Sequence, residues 1–104
     1  MGQTPTNILL FTIINAIHPV NVDTVKKISQ QHSEVQRIVI FHKNGLQALV
    51  EFLTIDDAQI VQQALNGCDI FAGCCTLKID FSKVSELVDF ILLYILLHDP
   101  YSFL

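Results

Sequence analysis

Two short segments, Phe11-Thr12-Ile13-Ile14-Asn15-Ala16 and Gly45-Leu46-Gln47-Ala48-Leu49-Val50-Glu51-Phe52, are apolar at alternate positions and are separated by a stretch with helical spacing. Successive side chains leave a pleated strand on opposite sides, so this alternation requires strands with one face against a core. A helix between two such strands is then expected to cover that face, giving a layered fold of sheet and helices.

The rest of the chain fits the same frame. Ile8 to Ile14 is an Ile-rich apolar run with Phe11, the mark of a central strand. Asn21 is placed to cap a helix carrying Val22, Val25 and Ile28 as far as about His32. Val35 to Phe41, β-branched and aromatic, forms a second strand. Lys43-Asn44-Gly45 predicts a tight primed turn into the third strand, Leu46 to Phe52. Thr54 and Asp57 resemble a capping box opening a second helix, with Ile55, Ala58, Val61 and Leu65 on its apolar face and Asn66-Gly67 as its stop. From Cys74 to Phe81, Cys75, Leu77, Ile79 and Phe81 alternate with Thr76, Lys78 and Asp80. The order is β-α-β-β-α-β, an α+β, ferredoxin-like sandwich: four antiparallel strands with both helices on one face.

Composition narrows the function. A chain of 104 residues supports one compact core, expected over 7–84, with a tail at 1–6 and an apolar extension at 85–104. Six basic against ten acidic residues give a net charge of -4. Affinity for phosphate backbones grows with the number of Lys and Arg that meet phosphates, so nucleic-acid binding would rest on base contacts more than on charge. Cys68, Cys74 and Cys75 lack zinc-site spacing and read as reduced, buried thiols. His18, His32, His42 and His98 are scattered, Asp56 and Asp57 suit a helix N-terminus, and no phosphate loop or catalytic triad spacing occurs, so neither an enzyme nor a metal or other cofactor is expected. No basic segment precedes an apolar run at the N-terminus, which argues against secretion.

Gln36-Arg37-Ile38-Val39-Ile40-Phe41, the Leu46 to Phe52 strand, Leu65-Asn66-Gly67 and the run Cys74-Cys75-Thr76-Leu77-Lys78-Ile79-Asp80-Phe81-Ser82-Lys83 together resemble an RNA recognition motif. The resemblance is to the second such motif of the polypyrimidine-tract-binding protein and heterogeneous nuclear ribonucleoprotein L family, over Thr6 to Val84. It implies single-stranded RNA binding through the open sheet face, with pyrimidine-rich or CA-rich targets, in nuclear pre-mRNA processing or splicing regulation, with or without shuttling to the cytoplasm. The residues it places on that face are Leu10, Thr12, Ile14, Arg37, Val39, Phe41, Gln47, Leu49, Lys78 and Lys83. The family's usual aromatic positions here hold Thr12, Gln47 and Leu49, so Phe41 is the one ring expected there, and Glu51 on the same face opposes phosphate.

The plainer alternatives stay open. Leu10, Ile14, Val39 and Leu49 suit a face covered by the C-terminal segment, Lys78 and Lys83 suit solvated charges, and Phe41 suits cross-strand packing. A degenerate motif used for protein association, through the helical face or the apolar C-terminal tail, is the competing function. From Leu87 to Leu97 only Asp89 is not apolar, a run too short to span a membrane. Leu87-Val88-Asp89-Phe90 is a candidate fifth strand beside the second, and Ile91 to Leu104 is a helix across the sheet, an association surface or a terminus altered by splicing or a truncated gene model.

Overall fold

The computed structural model describes residues 3–43 and 45–83. Its elements run β1 (Ile8–Ile14), α1 (Val22–Gln30), β2 (Val35–His42), β3 (Leu46–Phe52), α2 (Ile55–Leu65), β4 (Asp69–Phe71) and β5 (Cys74–Phe81). The strands form one antiparallel sheet in the order β2-β3-β1-β5-β4, which is the expected α+β arrangement with one more strand. That strand is β4, which folds onto β5 ahead of it in sequence. The candidate strand at 87–90, and the rest of the apolar extension, lie outside the described residues.

Both helices start where their capping residues predict. Asn21 Oδ1 accepts the Thr24 N–H at 2.9 Å, and Thr54 Oγ1 accepts the Asp57 N–H at 3.1 Å. Each satisfies a backbone donor that has no partner inside the helix. The helices bury Val25, Ala58, Val61 and Leu65 against one side of the sheet. The register sets out that side in rows. Ile40, Ala48, Phe11 and Ile79 stand in line across β2, β3, β1 and β5, and Ile38, Val50, Leu9 and Phe81 form the next line. Ala48, the smallest member, sits between Ile40 and the ring of Phe11, an alternation of size that lets a close-packed core fill without strain. A bulge between Val35 and Arg37 lets Val35 join the same core although it is out of phase with Ile38.

The end of α2 is tied directly to β5. Asn66 Oδ1 accepts the Ile79 N–H at 2.8 Å, the Gly67 N–H bonds the Leu77 carbonyl at 2.8 Å, and the Leu77 N–H bonds the Cys68 carbonyl at 2.8 Å. Gly67 has φ +86°, which only glycine adopts without penalty.

Two local expectations are corrected, the hairpin loop and the burial of Cys68. The loop between β2 and β3 has three residues, not two, because His42 pairs with Leu46 and Gly45 takes φ +101°, as in a hairpin closed by a left-handed residue. Cys68 is exposed, since it lies on the connection leaving α2. Cys74 and Cys75 are both buried although adjacent, because Cys75 at φ +55° interrupts the strand's alternation. Their sulfurs lie 3.5 Å apart, and burial first, then the neighbouring Cys75 thiol, pushes the Cys74 thiol above its ordinary value.

Two outcomes follow from this packing. Ser29 in α1 is fully buried and its hydroxyl has no hydrogen-bond partner among the described residues; Ser29→Ala should raise stability by about 1 kcal/mol in urea unfolding, the cost of a buried unsatisfied hydroxyl. In the native protein a neutral-pH alkylating reagent should modify Cys68 at once and Cys74 and Cys75 only on unfolding, as read by mass spectrometry of peptides. The raised Cys74 value also fixes a sign. The folded chain holds that proton more tightly, so the contribution is complete below the ordinary value of 9.0 and is lost as pH rises through the folded one.

Candidate nucleic-acid interface

The sheet side away from the helices carries the residues singled out in the sequence, and the strand register brings them into three rows. Phe41, Gln47, Thr12 and Lys78 face one another across β2, β3, β1 and β5. Val39, Leu49, Leu10 and Asp80 form the second row, and Arg37, Glu51 and Ile8 the third. Ile14 lies beyond the first row, opposite Thr76, and is 49% exposed. Lys83 is exposed just past the end of β5.

These rows exist because β1 pairs on both sides and each strand keeps strict alternation here. Inward Phe11 and Ile13 force Leu10, Thr12 and Ile14 outward, and inward Ala48 and Val50 force Gln47, Leu49 and Glu51 outward. Thr76 Oγ1 is tied to Asp69 Oδ1 of β4, which holds the strand added at this edge.

The chemistry of the rows differs. In the first, the Gln47 side-chain amide donates to Thr12 Oγ1 at 3.2 Å, and both groups are part-buried. Each keeps further hydrogen-bonding capacity, as an amide carries an acceptor oxygen and a second N–H, and a hydroxyl carries a proton. Lys78, exposed beside them, supplies a positive charge. In the third row Arg37 Nε donates to Glu51 Oε1 at 2.7 Å, so the guanidinium and the carboxylate that opposes phosphate neutralise each other. Sequence reasoning assigned these two residues opposite effects on the same ligand. Only the register, which sets Arg37 across from Glu51, reveals that they pair.

The second row is not open to solvent. Val39 is 0% exposed, Leu49 2% and Phe41, in the adjoining row, 5%; with Ile8 and part-buried Leu10 they make a second apolar cluster, separate from the core under the helices. The surface accessible on this side is therefore a rim of Thr12, Ile14, Arg37, Gln47, Lys78 and Lys83 around an aliphatic centre.

Sequence reasoning also passed over a pair at the edge of this region. Phe71 of β4 is exposed and lies against His18, with ring centroids 5.3 Å apart at 58°. The signal that could have found it is Ala72-Gly73, a turn in which Gly73 takes φ +80°, as at the third position of a type II turn. Among the described residues no group of three His, Cys, Asp or Glu side chains is arranged to hold a metal ion, and no helix is long and apolar enough to cross a membrane.

Comparison with known proteins agrees with this architecture. A family model described as an RRM-like domain matches residues 1–84. Heterogeneous nuclear ribonucleoprotein L of Homo sapiens is 49% identical over 86 residues, 83% of this chain and 15% of that protein. Polypyrimidine tract-binding protein homolog 3 of Arabidopsis thaliana is 37% identical over 84 residues, 80% of this chain and 19% of that protein. Among solved structures, the first two RRM domains of yeast poly(U) binding protein Pub1 match with a TM-score of 0.63 at 27% identity, covering 76% of this chain and 47% of that one. The chain thus spans less than a fifth of the length of these two curated relatives.

The Arg37–Glu51 pair generates a prediction of its own. Arg37 is 45% exposed along its side chain, so water screens the pair. Glu51→Gln should cost less than about 1 kcal/mol in thermal or urea unfolding, the usual worth of an exposed ion pair.

Proposed function

The chain belongs to the RNA recognition motif family, in the branch of heterogeneous nuclear ribonucleoprotein L and the polypyrimidine-tract-binding proteins, and from that premise we propose that it binds a short single-stranded RNA across the outer sheet face. The observation that carries the reading is the row Phe41–Gln47–Thr12–Lys78, which sets an amide, a hydroxyl and an ammonium group in register across three strands. Strands lie about 4.8 Å apart, so the row from β2 to β5 is about 14 Å long. That length suits the two or three bases that a sheet of this family receives.

The binding chemistry is unusual for the family in one respect. A base stacked on an aromatic ring is worth about 1 to 3 kcal/mol, and the ring within these rows, Phe41, is buried. Gln47 and Thr12 then read base edges by hydrogen bonds, Ile14 packs against a base face, and Lys78 and Lys83 meet phosphates. Arg37 joins them only when Glu51 releases it. With a net charge of -4, the full chain has low affinity for a phosphate backbone. The biological setting is nuclear pre-mRNA processing, including splicing regulation, and the preferred RNA is pyrimidine-rich or CA-rich; the poly(U) binding named for Pub1 supports the pyrimidine side. The binding unit is 7–84. Low affinity suits one module among several on a longer chain, where linked sites raise the effective concentration.

A second reading, association with a protein through the helical face, is favoured by Leu53, Ile55 and Ile60, three exposed apolar side chains at and along α2.

An NMR titration of the full chain with short CU-rich and CA-rich RNAs separates the two. The RNA reading expects shifts at Thr12, Ile14, Gln47 and Lys78 with little change on α2; no shifts from any RNA would defeat it and leave the protein reading. Lys78→Gln should lower the slope of log K against log salt by about 0.7, the loss of one phosphate contact on a single strand.

A further inference from the structure

Gln47 and Thr12 are joined by one hydrogen bond, and its direction decides what the pair shows to a ligand. The Gln47 side-chain N–H donates to Thr12 Oγ1 at 3.2 Å. The amide oxygen takes no part in that bond and keeps its acceptor capacity. The hydroxyl, already accepting, has its own proton to give elsewhere. Among the described residues neither Gln47 Oε1 nor the Thr12 proton has a partner. An acceptor and a donor therefore stand side by side. The register holds them there, since Thr12 lies opposite Gln47 across β1 and β3, with buried Phe41 beyond Gln47 and exposed Lys78 beyond Thr12.

We propose that Gln47 and Thr12 act as one edge-reading pair that selects amino bases over keto bases, an inference that rests on reading this face as the RNA site. The argument is one of polarity. Cytosine and adenine each carry an exocyclic amine next to a ring nitrogen with a lone pair, so their paired edge offers a donor beside an acceptor. Gln47 Oε1 takes the amine and the Thr12 hydroxyl gives its proton to the ring nitrogen. Uracil and guanine present the reverse, a carbonyl oxygen beside a ring N–H. Set against the same pair, they bring acceptor to acceptor and donor to donor, and part-buried polar groups left unmatched weaken binding more than a missing apolar contact does. Ile14, two positions along β1 on the same side and 49% exposed, gives the base an apolar surface to lie on. Lys78, opposite Thr12, is left for the phosphate, whose charge is the same for every base. Discrimination then falls to the two uncharged side chains, and the ammonium group adds affinity without choice.

The test measures the affinity of the full chain for short homopolymers of cytidine, adenosine and uridine at one salt concentration, with a thermal melt of each protein as the check on folding. Cytidine should bind about tenfold or more tighter than uridine, the worth of one good paired edge contact, with adenosine on the cytidine side. Thr12→Val keeps the shape and removes the hydroxyl, and Gln47→Leu removes the amide; each should bring cytidine and uridine to near equality while the protein melts as before. On cytidine, the side-chain amide signals of Gln47 should shift in an NMR spectrum. Equal affinity for cytidine and uridine in the unaltered chain overturns the proposal. So does a preference for uridine, which would mean that the hydroxyl donates to the amide oxygen and the pair has the opposite polarity. A cytidine preference that survives both substitutions overturns the assignment to these two residues. If the folded chain binds none of the three, the RNA reading itself falls and this inference falls with it, an outcome distinct from binding without discrimination.

Discussion

The structure depends on β1, the central strand of the sheet, which is hydrogen-bonded to β3 on one side and β5 on the other and carries buried residues on both faces. Its inward residues, Leu9, Phe11 and Ile13, anchor the core under the helices, while Ile8 and part-buried Leu10 belong to the outer cluster. Because β3 and β5 both take their register from it, every row across the sheet is set by its seven residues. A slip of one position would carry Phe11 to the outer face and Thr12 into the core, so burial on both sides fixes the alignment more strongly than hydrogen bonds alone could. The same alignment brings Gln47, Thr12 and Lys78 together from strands far apart in sequence.

Much of this was legible in the sequence. Alternation in β1, β2 and β3 assigned the inward and outward residues as the structure has them, because strand periodicity is a property of the backbone and survives any change of neighbour. The caps at Asn21 and Thr54 were equally readable, since the requirement for an acceptor at a helix start is local. What escaped was what depends on register or on layers. β4 is three residues long, too short for its alternation to stand out against loop sequence. The pairing of Arg37 with Glu51 joins residues 14 apart whose opposition exists only once β2 and β3 are aligned. The burial of Val39, Phe41 and Leu49 was weighed only as one alternative, because an aliphatic residue on a sheet face looks the same in sequence whether it awaits a ligand or supports another layer.

The outer face shows how a fold can be kept while its surface chemistry changes. The topology needs only apolar residues on the inner side of each strand, which leaves the outer side free to exchange rings for aliphatic groups. Val39, Leu49 and Leu10 stand in one row and with Ile8 and Phe41 form an apolar cluster on that side. The Gln47–Thr12 hydrogen bond stands at the border of this apolar cluster, where polar groups satisfy each other and keep further hydrogen-bonding capacity.

The two edges of the sheet are unequal, and this bears on how the domain meets its neighbours. On one side β4 contributes three residues and ends in a glycine turn, a blunt edge that offers few unpaired backbone groups. On the other side β2 runs for eight residues with no neighbour beyond it among the described residues. A bulge bends its first turn of chain, and Gln36, Arg37 and His42 are exposed along it. Among the described residues, β2 therefore carries the longer open edge, and the bulge confines its regular stretch to the part past Arg37.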